Sequence, residues 1–312
     1  MISLRGLTKR YGDTLAVDDL TFDVQAGRVT GFLGPNGAGK STTMRMILGL
    51  DHPTRGRALI AGRPYADLRR PLRAVGAMLD ARAVHPARSG RAHLLAQARA
   101  NGIPARRVDE VLETVGLAKA ARRPAGTYSL GMSGRLGVAG ALLGDPPVLI
   151  LDEPVNGLDP DGVQWIRRLV RDQAAEGRTV FLSSHLMSEM QVTADHLVVI
   201  GRGRLLSDSA LADFLSAASP GSARASVPDP EGRSTLVRCL TAADGVSVEA
   251  SASGELAVGG MSAAEVGDLA HQCGVRLHAL GDVRISLEQA YMNLTARSVE
   301  YASGATEERG QQ

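Results

Sequence analysis

The stretch Gly34-Pro35-Asn36-Gly37-Ala38-Gly39-Lys40-Ser41-Thr42 constrains this chain more than any other. It fits the pattern G-x-x-x-x-G-K-[ST], with the apolar run "VTGFL" before it and a helical "KSTTMRMILGL" opening from it. Such a loop works when a strand delivers it and a helix leaves it, so it calls for an α/β core. Gly34, Gly37 and Gly39 let the backbone turn its N–H groups inward around a β-phosphate, while Pro35, Asn36 and Ala38 fill the variable positions. The helix opening at Lys40 points its positive dipole end at the same anion. Lys40 is placed to reach the β- and γ-phosphates of a nucleoside triphosphate, and the Ser41 hydroxyl to ligate Mg²⁺, with Thr42 next along the helix.

The complement stands at "VLILDEP", a short continuous apolar run of the kind a parallel sheet covered on both faces requires. Asp152 at its end can hold Mg²⁺, and Glu153 can act as general base on, or orient, an attacking water. Alone, that pair would read as a solvated acidic turn; the loop at Lys40 favours hydrolysis. Further along, "DPDGVQWIRRLVRDQAAEG" is a helix with Asp159 as N-cap, Pro160 at the first helical position and Gly177 at the stop. "RTVFLSSH" and "HLVVIGRGRLLSD" read as strands, and "DLRRPLRAVGAMLD" through "ETVGLAKAARRPAG" as mostly helical.

The texture changes after about residue 217, where "SAASPGSARASVPDPEGRS" reads as a boundary. Residues 1–217 form the nucleotide-binding domain in this reading, 218–297 a small second domain, and 298–312 a tail expected to be disordered. The second domain reads as strand 223–227, helix 231–242, strands 246–250 and 255–259, helix 262–273 and strand 275–284, with a last helix "SLEQAYMNLTARS". That β-α-β-β-α-β order predicts a ferredoxin-like α+β domain. Cys239 and Cys273 lack metal-ligand spacing and read as small buried thiols rather than a redox pair. A net charge of +2 gives no large basic field, so no nucleic-acid partner is expected. No apolar run approaches the roughly eighteen residues a bilayer span needs, and the start lacks a signal-peptide core, so a cytoplasmic chain is expected.

Five motifs therefore stand in order: "GPNGAGKST", "YSLGMSGRL", "VLILDEP", "GLDP" and "SSH". In these, over residues 1 to about 217, the chain resembles the nucleotide-binding subunit of ATP-binding cassette (ABC) transporters. Its C-terminal extension and phrasing are closest to ATPase subunits of bacterial antibiotic-resistance and multidrug exporters, the bacitracin and daunorubicin type. The resemblance implies a P-loop NTPase fold with a β-subdomain, a RecA-like core and a helical subdomain. It also implies ATP and Mg²⁺ as cofactors, a separate membrane permease as partner, and a peripheral place on the inner face of the cell membrane.

In that family two copies pack head to tail, each ATP lying between one chain's phosphate loop and the other's signature turn. On this resemblance Ser129 and Gly131 donate to the γ-phosphate across the interface, and Asp159 connects the two sites. His185 contacts the γ-phosphate, and Tyr11 stacks on adenine, a strand-edge tyrosine being the plainer alternative. Residues 80–105 are where the permease would dock. Two departures stand out. Asp80 replaces the family's usual glutamine and can ligate Mg²⁺ but cannot donate as an amide does. The signature is Tyr128-Ser129-Leu130-Gly131-Met132, short of one glycine and the glutamine. Gly134, where relatives often carry a polar residue, has no physical account. A cassette ATPase acting on ribosomes or DNA, and a non-catalytic nucleotide-gated module, remain as alternatives.

Overall fold

The structure is a computed structural model that describes the chain except residues 81–82, 219–220, 252–253, 284 and 296–312. The tail 298–312, expected to be disordered, lies outside the described residues. Two compact units are present, the first Met1–Leu211 and the second beginning at Ala212.

The first unit opens with β1 (Ile2–Tyr11) and β2 (Thr14–Val24), then β3 (Val29–Leu33), α1 (Lys40–Ile47) and β4 (Arg55–Ile60). It continues through α2 (Pro71–Ala74), β5 (Gly76–Met78), α3 (Gly90–Ala100), α4 (Ala105–Thr114), α5 (Leu130–Leu142) and β6 (Val148–Leu151). It closes with α6 (Pro160–Ala175), β7 (Thr179–Ser183), α7 (Met187–Thr193), β8 (His196–Gly201) and β9 (Arg204–Ala210). Two sheets result: an antiparallel β2-β1-β4, and a six-stranded β5-β6-β7-β3-β8-β9 in which only β9 runs against its neighbour. Every residue of β3, β6 and β7 is buried; β6 is the unbroken apolar run the sequence shows, while β3 and β7 bury Thr30, Thr179 and Ser183 among their apolar residues. Ile2, Leu4, Leu20 and Phe22 from the antiparallel sheet share one core with Phe32, Ile47 and Phe181, and the Phe32 and Phe181 rings lie 5.0 Å apart.

Two sequence expectations need correction here. The segment "AVGAML" was expected to be helical, but it forms β5, paired parallel with β6. Three residues are too few for a period to show, and the pairing decides; a Cβ at Gly76 would overlap the Ala141 carbonyl, so glycine lets α5 cross close by. The run "HLVVIGRGRLLSD" is not one strand but the antiparallel hairpin β8–β9, turned at Arg202 and Gly203, both at positive φ. The cap of α6 follows the sequence: Asp159 accepts from the Gly162 N–H at 2.9 Å, with Pro160 at the first position.

The helix α8 (Leu211–Ala218) begins at the last residue of the first unit, so the expected boundary after residue 217 falls near its end. The second unit runs β10 (Ser222–Ser226), α9 (Pro230–Thr241), β11 (Ser247–Ala250), β12 (Glu255–Gly259), α10 (Ala263–Gln272) and β13 (Ala279–Asp282). Its sheet order β11-β12-β10-β13, antiparallel throughout, is the ferredoxin-like arrangement expected from the element order. The last strand is shorter than the expected 275–284, because Gly274 at φ 69° and the Val275 N–H to Ala270 carbonyl bond finish α10 first. The cysteine expectation fails. Cys239 and Cys273 are only partly buried and form a disulfide between α9 and the end of α10. Their 34-residue separation carries no trace of that pairing, which exists only once the two helices pack.

A candidate nucleotide site at the strand ends

Strands β6, β7 and β3 lie side by side and parallel, so their carboxyl ends open along one edge, where open α/β sheets bind ligands. From β3 comes the glycine loop. A Cβ at Gly34 would sit 2.6 Å from the Ile200 carbonyl oxygen. Gly39 has φ 102° and ψ 7°, and a Cβ there would lie 2.5 Å from the Ala16 carbonyl oxygen. Helix α1 starts on this glycine with no side-chain cap, so its first N–H groups are left for an anion. Pro35, Asn36, Gly37 and Ser41 are exposed, Thr42 half-buried and Ala38 buried.

Lys40 is buried to 7% residual exposure, its ammonium donating to the Gly34 carbonyl at 2.6 Å and the Pro35 carbonyl at 3.2 Å. Desolvation pushes its pKa down, and the charges of Glu153 and Asp152 work against that fall. The loop lysine and the two acids thus share one electrostatic neighbourhood.

Asp152 follows β6 directly, and its N–H donates to the Met78 carbonyl of β5 at 2.8 Å. Asp80 stands exposed two residues beyond that same strand. Ser183, fully buried at the end of β7, donates to Asp152 Oδ1 at 2.5 Å and accepts the Glu153 N–H at 2.9 Å. Glu153 holds φ 51°, unusual for a residue with a side chain. Its Oε2 meets His185 Nδ1 at 2.7 Å and accepts the His185 N–H at 3.2 Å. An ionised carboxylate only accepts, so Nδ1 carries the proton in this pair. The sequence pointed to Asp152, Glu153 and His185 but not to Ser183. Its signal was the first serine of "SSH", meaningful only once β6 and β7 are paired with Leu151 against Leu182.

Tyr11 ends β1, half-exposed. Its hydroxyl donates to Asp51 Oδ2 at 3.0 Å, and Arg45 of α1 holds that carboxylate at 2.7 Å. Burial and the neighbouring Asp51 raise the Tyr11 pKa, while Arg45 holds Asp51 below the usual carboxylate range. The Lys9 ammonium lies over the Tyr11 ring, 4.8 Å from its centre.

The signature turn is built apart from this cluster. Ser129 caps α5, its hydroxyl accepting from the Met132 N–H at 3.2 Å, and Gly131 lies against Gly157 and Leu158. Among the described residues, neither hydrogen-bonds to residues 34–42. Asp159 follows Leu158 directly, occupied in its own helix cap.

A strand-delivered glycine loop, a buried lysine and two carboxylates at the end of β6 in the same sheet define a P-loop nucleoside triphosphatase. Residues 17–156 match the ABC transporter family, and residues 221–288 match a domain of unknown function (DUF8746). The bacitracin transport ATP-binding protein BcrA of Bacillus licheniformis is 44% identical over 211 residues, 67% of this chain and 69% of that protein. The lantibiotic transport ATP-binding protein SrtF of Streptococcus pyogenes is 35% identical over 66% of this chain and 89% of that protein. A solved ATP-binding subunit of an ABC transporter superposes with TM-score 0.64 at 28% identity, covering 70% of this chain and 92% of that one. A dimeric bacterial ABC cassette superposes with TM-score 0.63 at 23% identity, covering 68% and 99%, a likeness of fold. The chain belongs to the ATP-binding subunits of ABC transporters, and it binds and hydrolyses ATP.

Proposed function

We propose that this subunit drives a separate membrane permease that exports an antibiotic or related compound, as the names of its relatives record for them. Its place is the cytoplasmic face of the membrane; among the described residues no helix is long and apolar enough to span it. In this reading residues Gly34–Thr42 cradle the phosphates. Lys40 exchanges the Gly34 and Pro35 carbonyls for the β- and γ-phosphate oxygens. Glu153 takes a proton from the water whose oxygen bonds the γ-phosphorus, as the bond to the β-bridging oxygen breaks and ADP leaves. His185 holds the Glu153 carboxylate through Nδ1–H, and it meets the γ-phosphate as the imidazolium, whose Nε2–H donates. Tyr11, with Lys9 over one face, gives the other to adenine.

Ser41, Asp152 and Asp80 would supply one hydroxyl and two carboxylates as hard oxygen ligands, and among the described residues no three acidic, histidine or cysteine side chains are placed to hold a metal ion by themselves. That sparse set suits Mg²⁺, which takes one or two carboxylates and completes its shell with phosphate and water. When bound, the ion neutralises charge developing on the phosphates.

Ser129 and Gly131 complete the site of a second copy. Their place at a helix start whose dipole favours anions, with no hydrogen bond among the described residues to the chain's own phosphate loop, supports that role. Asp159, next after the Gly157 and Leu158 that Gly131 lies against, links the two sites. The permease docks in a groove of about 480 Å³ lined by Leu50, Tyr65, Leu72, Asp80, His93 and Asn101, to which the expected 80–105 region contributes one wall.

The convergence of Lys40, Asp152, Glu153 and His185 carries this reading. Its test is Glu153→Gln in the full chain. Turnover falls at least about a hundredfold, while ATP binding survives and, with Mg²⁺ and ATP, a dimer accumulates in sedimentation. Unchanged turnover would remove Glu153 from the reaction, and a protein that stays monomeric with trapped ATP and permease present would end the shared-site reading.

A further inference from the structure

The Ser183 hydroxyl is a buried pivot between the two acids. A serine oxygen offers one proton and two lone pairs. Here the proton goes to Asp152 Oδ1 and one lone pair takes the Glu153 N–H. The residue has no solvent exposure, so water cannot replace either bond. Its position follows from the sheet: β6 and β7 run parallel with Leu151 opposite Leu182, which brings the next residues, Asp152 and Ser183, together at the edge.

The Glu153 backbone makes this bond more than a packing detail. At φ 51° a residue with a Cβ gives up about 1–2 kcal/mol against ordinary backbone. Such a conformation persists only where surrounding contacts over-determine it. The Glu153 carbonyl accepts the Asn156 N–H within its own turn, while its other two contacts come from one strip of chain: Ser183 holds its N–H, and His185 its carboxylate. The same serine occupies Oδ1 of Asp152, which leaves the other carboxylate oxygen for a cation.

We infer that Ser183 is a positioning residue for ATP hydrolysis, fixing through one hydroxyl both the cation-facing oxygen of Asp152 and the backbone turn that aims Glu153 at the water. This rests on the proposed roles of Asp152 and Glu153, and the experiment separates the two. Three variants of the full chain are compared with wild type: Ser183→Ala, Ser183→Thr and Glu153→Gln. Readouts are steady-state ATP turnover, Mn²⁺ affinity with ADP by electron paramagnetic resonance, and ATP binding in EDTA.

Ser183→Ala should lower kcat and weaken Mn²⁺ affinity, each by about tenfold to a hundredfold, as loss of an outer partner of a ligand does. ATP binding in EDTA, held by the glycine loop and Lys40, should stay within about twofold. Ser183→Thr, which keeps the hydroxyl, should restore both quantities; a packing role would instead favour the smaller alanine over the bulkier threonine. Should Ser183→Ala fail to fold, Ser183→Cys, similar in size but a weak donor, should fall between wild type and a dead enzyme in kcat and in Mn²⁺ affinity. Wild-type kcat and Mn²⁺ affinity in Ser183→Ala, or in a folded Ser183→Cys where the alanine variant does not fold, overturn the inference if Glu153→Gln is inactive. If Glu153→Gln turns over normally, the proposed reading of the site fails first, and this one with it.

Discussion

The three glycines of the phosphate loop make a graded prediction, because each is required for a different reason. Gly37 has φ 80° but open space where a Cβ would go. Alanine there meets only the left-handed backbone penalty of about 1–2 kcal/mol, offset by about 0.4–1 kcal/mol of lost unfolded-state entropy. The net cost is about 1 kcal/mol. Gly34 has ordinary φ, but its Cβ would lie 2.6 Å from the Ile200 carbonyl and 3.1 Å from Ala38 Cβ, so alanine there overpacks by about 1–3 kcal/mol. Gly39 combines φ 102° with a Cβ 2.5 Å from the Ala16 carbonyl. Adding the two terms gives about 2–5 kcal/mol. In a unit of this size each kcal/mol moves the melting temperature by about 2–4 °C, so Gly37→Ala should melt about 3 °C lower and Gly39→Ala about 10 °C lower. Relief of the Gly39 overlap moves the loop or β2 at the start of α1, so the anion site distorts as well. ATP at a hundred times Kd stabilises wild type by about 2.7 kcal/mol, and Gly39→Ala should lose that shift. Scanning calorimetry with and without Mg-ATP reads both effects. Equal melting of the Gly37 and Gly39 variants, or a full ATP shift in Gly39→Ala, would refute the geometric argument.

Asp159 can be divided by substitution. Asp159→Ala should lose about 1 kcal/mol with the α6 cap, whereas Asp159→Ser keeps a capping oxygen and near-native melting but loses turnover if the carboxylate links paired sites. Equal destabilisation by the two would show that the cap is not what the side chain contributes. For the disulfide, protein purified under air and denatured with N-ethylmaleimide should take up no label until reductant is added; labelling of both Cys239 and Cys273 beforehand would refute the bridge. His93, in the groove beside Asp80, has its pKa lowered by burial first and by Arg88 second. The unfolded chain therefore binds this proton more readily, and stability drops as pH falls below about 6.5 towards the lower folded value. Melting measured at pH 7.5 and pH 6.0 should show a smaller acid loss for His93→Gln; an equal loss would place the titration elsewhere.

What the sequence revealed and what it hid divide along a physical line. Local chemistry was legible. The glycine loop, the Asp159 cap, the continuous apolar β6, and the βαββαβ order of the second unit all follow from neighbours within a few residues. Hidden features depend on what the chain meets from far away. Strand β5 exists because β6 pairs with it, and its Gly76 because the Ala141 carbonyl passes close by. The disulfide exists because α9 and α10 pack together, and the β8–β9 turn because Arg202 and Gly203 adopt positive φ between two apolar stretches. Even at the site, Asp152, Glu153 and His185 could be named from motifs, but the order in which they are tied could not.

That order bears on how such a site tolerates a degenerate sequence. Ser129 and Gly131 act, in the proposed reading, through backbone N–H groups and one hydroxyl at the start of α5. The cap from Ser129 to Met132 is intact, and Leu130 packs over Gly157, where a Cβ would collide with its side chain. A helix start presents its N–H groups whatever side chains follow, so replacing the usual glycine by Leu130 and glutamine by Met132 leaves the anion-facing atoms in place. What changes is the surface around them, now apolar at an exposed Leu130. Leu130→Gly should therefore leave ATP binding to the isolated chain unaltered and act on pairing between copies, seen as a changed protein concentration for half-maximal turnover. An equal loss of ATP affinity in dilute, monomeric protein would show that the signature turn serves its own chain's nucleotide after all.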